Sequence, residues 1–211
     1  MRLIWSLVLA TASIANAANL ISVDWTASGT APISTSSGTL NGFGNISLTT
    51  SANANAGAVF PISYNYSWQG GNNLSVGEGV ALGVGASTSA TQVITFTQTI
   101  SNPYLLINWT DSGTSFDFGS NTFSMVGSSN ATNSGNLITI GAGAANLAAD
   151  GFMIRFNDTF GPTKSLSFVY NSNLTQAESV AMTLAVLPEP SVLSLLAVGL
   201  GVVLRRRRRT V

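Results

Sequence analysis

Residues 94–110 read ITFTQTISNPYLLINWT, and apolar and polar side chains alternate along most of this stretch. The alternating apolar positions are Ile94, Phe96 and Ile100 in the first half and Leu105, Ile107 and Trp109 in the second. A period of two places successive side chains on opposite faces of a strand, whereas a helix repeats its apolar face about every 3.6 residues. The stretch therefore predicts two β-strands, each with one buried face, and places Trp109 on the buried side.

The same two-residue period recurs along the rest of the chain. Further strands are predicted at short apolar segments, namely residues 20–26, 44–50, 59–66, 79–84, 122–126, 136–140, 152–156, 166–170 and 180–186. Clusters of Gly, Asn and Ser that favour turns separate these segments, and no segment has a helical period. Roughly eleven short strands with regular turns predict an all-β fold, an antiparallel β-sandwich of jelly-roll-like type. Residues 27–58 contain few large apolar side chains, so we expect a loose lobe there.

The first 17 residues have the features of a secretory signal peptide. Met1 and Arg2 form a short positive region, Leu3 to Ala10 form an apolar core, and Ala15-Asn16-Ala17 is a small-x-small cleavage site. The apolar run is too short for a retained membrane anchor. We therefore expect cleavage after Ala17 and exclude residues 1–17 from the fold.

The C-terminus combines a proline-containing element, an apolar run and a basic cluster. Pro188, Glu189 and Pro190 precede an uncharged run, residues 191–204, which is followed by Arg205, Arg206, Arg207, Arg208 and Arg209. As a helix the run spans only roughly 21 Å, less than the hydrocarbon core of about 30 Å. A single transmembrane helix must therefore begin near Leu187, with the prolines at the outer interface. The arginines are costly to transfer across a bilayer, so we expect them to stay in the cytoplasm.

This order at the chain end resembles the PEP-CTERM sorting signal of Gram-negative bacteria. The resemblance covers residues 187–209 and implies that a membrane-embedded exosortase removes the tail near Pro-Glu-Pro. An ordinary single-span anchor with a basic stop-transfer block would share the topology without the processing. A Gram-positive sortase signal fits less well, because Glu189-Pro190 stand where a Thr-Gly pair is needed.

These features divide the chain into three parts, a signal peptide (1–17), a β-sandwich ectodomain (18–187) and a sorting signal (188–211). The resemblance implies that exosortase is a partner and that the C-terminal helix holds an intermediate in the inner membrane before processing. It further implies a final location at the cell surface or in the extracellular polysaccharide matrix.

The ectodomain is acidic, although the whole chain has a formal charge of zero. Arg155 and Lys164 are its two cations, and they stand against seven carboxylates, which gives a net charge of −5. Such a sequence supplies no basic stripe for a phosphate backbone, so we expect no nucleic-acid partner. The chain has no His and no Cys, which excludes Ser-His-Asp and Cys-His catalysis and zinc sites built on these residues. Lys164 is expected to be a surface charge rather than the base of a Ser-Lys dyad.

Two carboxylates lie close together in the segment Asp111-Ser-Gly-Thr-Ser-Phe-Asp117. Hydroxyl and backbone oxygens accompany them, so Asp111 and Asp117 are compatible with a hard cation such as Ca²⁺, although the spacing is not that of an EF-hand. Asp at turn positions also holds the backbone through side-chain hydrogen bonds, and this interpretation is favoured. Asp150, before Gly151, is expected to stabilise a turn in the same way.

Aromatic side chains are the other candidate ligand contacts. Those able to stack on a sugar ring are Tyr64, Tyr66, Trp68, Tyr104 and Trp109. Most large aromatics of a sandwich belong to its core. Trp68 precedes the polar run Gln-Gly-Gly-Asn-Asn, and we therefore predict that Trp68 lies in a ligand-contacting loop.

These observations predict a non-enzymatic exported protein with a structural or adhesive role in exopolysaccharide or biofilm. Two alternatives stay open. One is a carbohydrate-binding module that attaches cells or exopolysaccharide to one another. The other is a secreted glycan-active enzyme that uses acidic residues.

Overall fold

The computed structural model describes residues 20–26, 35–51, 59–62, 77–84, 86–144, 150–175 and 178–187. Every regular element in these ranges is a β-strand. The described residues therefore include no helix that is long and apolar enough to cross a membrane. The predicted signal peptide (1–17) and the sorting signal (188–211) lie outside the described residues.

Seventeen strands occur in the described ranges, several of them only two residues long. In chain order they are β1 (Ile21–Ser22), β2 (Asp24–Thr26), β3 (Thr35–Leu40), β4 (Gly44–Thr50), β5 (Val59–Ile62), β6 (Gly77–Val84), β7 (Ser89–Phe96), β8 (Ile100–Ser101), β9 (Tyr104–Asn108), β10 (Thr114–Asp117), β11 (Phe123–Ser129), β12 (Ala131–Ser134), β13 (Leu137–Ile140), β14 (Gly151–Phe156), β15 (Thr159–Phe160), β16 (Leu166–Ser172) and β17 (Glu178–Val186).

The strands form two large antiparallel sheets and one small one. The first sheet has the order β11-β14-β9-β17-β6-β5, with β1 also paired to β17, and the second has the order β12-β13-β10-β16-β7-β4-β3-β2. Strands β15 and β8 pair separately. From β6 onward, the successive large-sheet strands lie in alternate sheets, except that β12 and β13 form a hairpin within the second sheet. The prediction of an all-β antiparallel fold is confirmed.

Aromatic side chains join the two large sheets in a sandwich-like arrangement. Phe116 on β10 contacts Phe152 on the opposite sheet edge-to-face, with ring centroids 5.1 Å apart, and stacks on Tyr170 of its own sheet at 4.8 Å. Phe118, just after β10, makes a second edge-to-face contact across the sheets with Phe156, at 5.7 Å. Such ring pairs add to the stabilisation from burial alone. The core therefore lies between the two sheets, as the two-residue period predicts.

Strand β7 confirms the alternation predicted around residue 94. Ile94 and Phe96 are buried in the shared core, whereas Thr95 between them is exposed. The same alternation occurs along β16, where Leu166, Phe168 and Tyr170 are the buried apolar residues. One face of each strand is thus apolar because it packs on the facing sheet.

Strand β9 departs from its prediction, because both of its faces are covered. All five of its residues are buried. Leu105 and Ile107 face the core between the sheets, whereas Leu106 lies on the other face in a second apolar cluster that includes Leu20 and Met153. A central strand buried on two sides has no polar face, which explains the consecutive Leu105-Leu106-Ile107.

The structure corrects the prediction of a loose lobe at residues 27–58, because the described part of this range, residues 35–51, is mostly regular strand. Strands β3 and β4 form a regular hairpin, and β4 pairs with β7. The sequence predicts β4 but not β3. The inward-facing residues of β3 are Ser36, Gly38 and Leu40, which together carry little apolar volume. A Cβ atom at Gly38 would lie 2.8 Å from the carbonyl oxygen of Asp24. Strand β2 therefore packs on β3 too closely for a larger side chain at Gly38. For this reason β3 lacks the alternating apolar residues by which a strand is recognised in a sequence.

Candidate functional site

Each of the two carboxylates of the candidate calcium segment accepts a hydrogen bond from a backbone N–H of a neighbouring turn. Asp111 Oδ1 accepts a hydrogen bond from the Ser112 backbone N–H at 2.7 Å. Asp117 Oδ1 accepts one from the Gly119 backbone N–H at 2.9 Å, where the backbone is left-handed. These contacts are the side-chain hydrogen bonds by which Asp stabilises turns.

Strand β10 separates these two carboxylates along the chain. Asp111 precedes the strand and Asp117 is its last residue, so the two carboxylates lie on either side of three extended residues, 114–116, at roughly 3.3 Å each. Among the described residues, no group of three or more His, Cys, Asp or Glu is arranged to hold a metal ion. Calcium binding by Asp111 and Asp117 stays a prediction.

The candidate sugar-stacking aromatics have different surroundings. Trp68, with Tyr64 and Tyr66, lies outside the described residues. Tyr104 is buried on β9, where the guanidinium of Arg155 lies 6.0 Å from its ring centroid. Trp109 is 42% exposed, so the prediction that it lies on the buried side is wrong. Among the candidate aromatics that the structure describes, Trp109 is the one whose ring is exposed to solvent and so accessible to a ligand.

The backbone at the end of β9 explains why Trp109 turns outward. Trp109 follows the last residue of the strand and has φ of 61°, a left-handed conformation that bulky residues rarely adopt. Its neighbours Asn108 and Thr110 are both 0% exposed. The Thr110 N–H donates to the Asp150 carbonyl at 3.3 Å. The buried neighbours thus hold the turn in place while the indole contacts solvent.

Trp109 lies in one row with two polar residues at this end of the first sheet. Asn108 pairs with Gly151, and Gly151 pairs with Ser129. The residues one step further along, Trp109, Asp150 and Asn130, therefore occupy neighbouring strand ends, and we call them the Trp109 row. Neighbouring strands lie about 4.8 Å apart, so the row spans roughly 10 Å.

The polar half of the Trp109 row is held by its own hydrogen bonds. Asp150 is buried, and its Oδ1 accepts from Asn130 Nδ2 at 3.1 Å and from Ser129 Oγ at 3.4 Å. The Asn130 carbonyl accepts from the Gly141 N–H at 2.7 Å, and Asn130 also has a left-handed backbone, with φ of 61°. Asp150 thus stabilises the turn between β11 and β12 as well as the one after β9.

The surroundings of Lys164 are those of a surface cation. Lys164 pairs with Asp158, and its ammonium lies 5.4 Å from the ring centroid of Phe160. The hydrogen bond from Lys164, with a further one from the Thr159 N–H, holds the pKa of Asp158 below its usual range. Lys164 is therefore a surface ion-pair partner, as expected for an isolated lysine.

A pair of carboxyl groups lies between the two large sheets, one carboxyl from each. Glu78 on β6 of the first sheet lies beside Asp24 on β2 of the second. Burial raises the pKa of Glu78, and the hydrogen bond and charge of Asp24 raise it further, while the Trp25 backbone N–H opposes the change. The sequence offers no signal for this pair, because 53 residues separate its members and only sheet packing brings them together.

We expect the Glu78→Gln variant to be more stable than the wild type near neutral pH. Because the folded-state pKa of Glu78 is raised, the folded protein binds its proton more tightly than the unfolded chain does. Stability is then greatest below the ordinary glutamate pKa and falls as pH rises through the folded value. The melting temperature as a function of pH measures this effect. Asp24→Asn should reduce the same pH dependence, and an unchanged profile in both variants would contradict the assignment.

Sequence reasoning missed Asn130 and the exposure of Trp109. Asn is the residue other than Gly that most readily adopts a left-handed backbone, so Asn130 between Ser129 and Ala131 carries a weak turn signal. Nothing in the alternating pattern signals the outward turn of Trp109. The row forms only because three strand ends that are distant in sequence become neighbours in the sheet.

Comparisons with known proteins add no family to these observations. No protein-family model matches this chain, and searches of curated proteins and of solved structures find no match to it either.

Proposed function

We propose that this chain is an exported protein of the Gram-negative cell surface or extracellular matrix, with a structural or adhesive role in exopolysaccharide or biofilm. The observation that carries the proposal is the C-terminal order of Pro188-Glu189-Pro190, an uncharged apolar run and Arg205 to Arg209. The signal-peptide features of residues 1–17 support the same route independently.

The proposed route has two membrane steps. The signal peptide directs export, and the C-terminal helix then holds the ectodomain outside while the arginines stay in the cytoplasm. Exosortase cleaves near Pro-Glu-Pro and releases the ectodomain. The partners in this proposal are exosortase, the inner membrane before processing, and exopolysaccharide afterwards.

The strand order supports a jelly-roll-like sandwich for the exported domain. The order β6-β17-β9-β14 in the first sheet faces β7-β16-β10-β13 in the second. Two four-stranded sheets linked by connections that alternate between them are the arrangement of a jelly roll. Strands β2 to β5 extend the two sheets beyond this unit, and β11 and β12 lie at the opposite edges.

A carbohydrate-binding function is the second candidate, and the exposed indole of Trp109 favours it. An aromatic ring open to solvent provides a flat apolar surface for the C–H face of a sugar ring. Polar groups beside it provide hydrogen-bond donors and acceptors for hydroxyl groups. Binding of this kind would supply the adhesive contact between the protein and exopolysaccharide.

The sorting proposal predicts that the mature protein lacks its C-terminal tail. Intact-mass analysis of the surface-located protein from its own cells should give a chain that ends near Pro-Glu-Pro. The double variant Pro188→Ala with Pro190→Ala should keep the tail and accumulate in the inner membrane. The matched control, Ser194→Ala in the apolar run, should be processed like the wild type. A mature surface protein that still carries Arg205 to Arg209 would overturn the exosortase assignment.

A further inference from the structure

We propose that the Trp109 row, formed by Trp109, Asp150 and Asn130, is a binding subsite for a neutral sugar ring of an extracellular polysaccharide. The inference rests on the carbohydrate-binding candidate above and gives it a location in the fold. In this subsite the indole of Trp109 stacks on the ring, the exposed Asn130 amide contacts its hydroxyl groups, and the buried Asp150 holds that amide in position.

The first argument is the conformation of Trp109. Its backbone lies in the left-handed region, which Gly and Asn adopt at least cost and bulky side chains at a higher one. Its indole is also exposed, unlike its buried neighbours Asn108 and Thr110. A tryptophan here therefore costs the fold backbone strain, and 42% of its surface still contacts solvent. Its contribution is the apolar surface that it presents to a ligand.

The second argument is the polar half of the row. Asn130 Nδ2 and Ser129 Oγ both donate to Asp150 Oδ1, so these side chains are held in fixed positions before any ligand arrives. Asn130 is exposed and its amide offers both donor and acceptor atoms, which suits hydroxyl groups that are themselves donors and acceptors. An aromatic surface with a few positioned polar groups is the usual composition of a small-molecule site.

The third argument is charge, which selects a neutral glycan over an acidic one. Asp150 belongs to the row, and Asp111 follows Trp109 by two residues. Arg155 lies four residues beyond Gly151 on β14, roughly 13 Å away along the strand. The other cation of the ectodomain, Lys164, is paired with Asp158. An anionic polysaccharide would therefore meet carboxylates at the row without a nearby compensating cation.

Trp109→Gly separates ligand binding from folding. Glycine accepts the left-handed backbone, which offsets part of the burial lost with the ring, so this variant should fold with a melting temperature close to that of the wild type. Removing the ring should weaken glycan binding by about tenfold or more, the loss expected for a stacking contact. Trp109→Phe should recover part of the affinity. The matched control is Leu137→Ala, which shortens another exposed apolar side chain on the second sheet.

The experiment uses mature protein purified from its own cells. The probes are the total exopolysaccharide of those cells and hexasaccharides of neutral glucose, mannose and galactose units, with polygalacturonate as the acidic comparison. Isothermal titration gives the affinity. Tryptophan fluorescence, which in the mature protein reports on Trp25, Trp68 and Trp109, should change on glycan addition in the wild type and in Leu137→Ala but not in Trp109→Gly.

Three outcomes would overturn the proposal. One is absence of binding to every neutral probe, and another is wild-type affinity in Trp109→Gly. The third is tighter binding of polygalacturonate than of the neutral glycans. Failure of the sorting proposal is a separate result, because it appears as a retained tail in the mass spectrum and leaves the binding assay unaffected.

Discussion

Gly151→Ala is expected to destabilise the folded protein by about 3 kcal/mol, the upper part of the range for steric overpacking. A Cβ atom at this position would lie 2.9 Å from the Cα of Asn108, and the carbonyl oxygen of Ile107 would be closer still. Both obstacles are backbone atoms of β9, so no side-chain rotation relieves the clash. Strands β14 and β9 would have to separate at the end of the first sheet, where the Trp109 row lies. Chemical denaturation of purified protein measures the change.

Gly42→Ala is the matched control for this substitution. Gly42 lies in the turn between β3 and β4 with φ of 82°, and an added Cβ would meet nothing within 4 Å. Its replacement therefore adds only left-handed backbone strain, about 1–2 kcal/mol. The backbone of Gly151 is not left-handed, so the loss of stability expected there comes from the steric clash alone. Equal losses in the two variants would contradict the close approach of β14 to β9.

Phe116→Ala is expected to lower the free energy of unfolding by about 3–5 kcal/mol. Phe116 is fully buried between the sheets, stacked on Tyr170 at 4.8 Å and edge-to-face with Phe152 at 5.1 Å. Truncation removes both ring contacts and leaves a cavity that strands on either side cannot readily fill. Urea denaturation monitored by circular dichroism measures the loss, provided that the wild-type transition is two-state.

Two further variants test whether the loss arises from the position of Phe116 in the core. Phe116→Leu keeps most of the buried volume and should cost less than the alanine change. Phe43→Ala removes the same ring from a partly buried position beside the core, so its effect should also be smaller. If Phe116→Ala cost no more than Phe43→Ala, the central role of the Phe116 contacts would be wrong.

Strands β7 and β16 of the second sheet were the easiest to predict from the sequence, whereas β3, β10 and β12 of the same sheet were not predicted. Along β7 and β16 one face packs on the facing sheet and the other contacts water, so the alternation of residue types reports burial directly. Strand β3 escaped prediction because Gly38 faces inward where β2 leaves no space for a side chain. Strand β9 was placed correctly, but its second buried face came from packing that the alternation does not encode.

The candidate site was harder to predict than the fold. The pattern assigned Trp109 to the buried face because Leu105 and Ile107 precede it at the same period. The strand ends one residue earlier, and a left-handed backbone then turns the indole outward. The partners of Trp109 in its row, Asp150 and Asn130, flank the ends of strands β14 and β11, and their proximity is a property of the sheet.

The sequence by itself determined that this protein is all-β, acidic over residues 18–187, and without the His and Cys residues on which many catalytic and zinc sites depend. It also carries the resemblance to a sorting signal, because short linear motifs need no folded context. Only the tertiary structure decided that Trp109 is exposed, that Glu78 lies beside Asp24, and that Gly151 packs against the β9 backbone. The physical reason is that each of these depends on contacts between strands far apart in the chain, whereas an alternating pattern reports only which face of one strand is apolar.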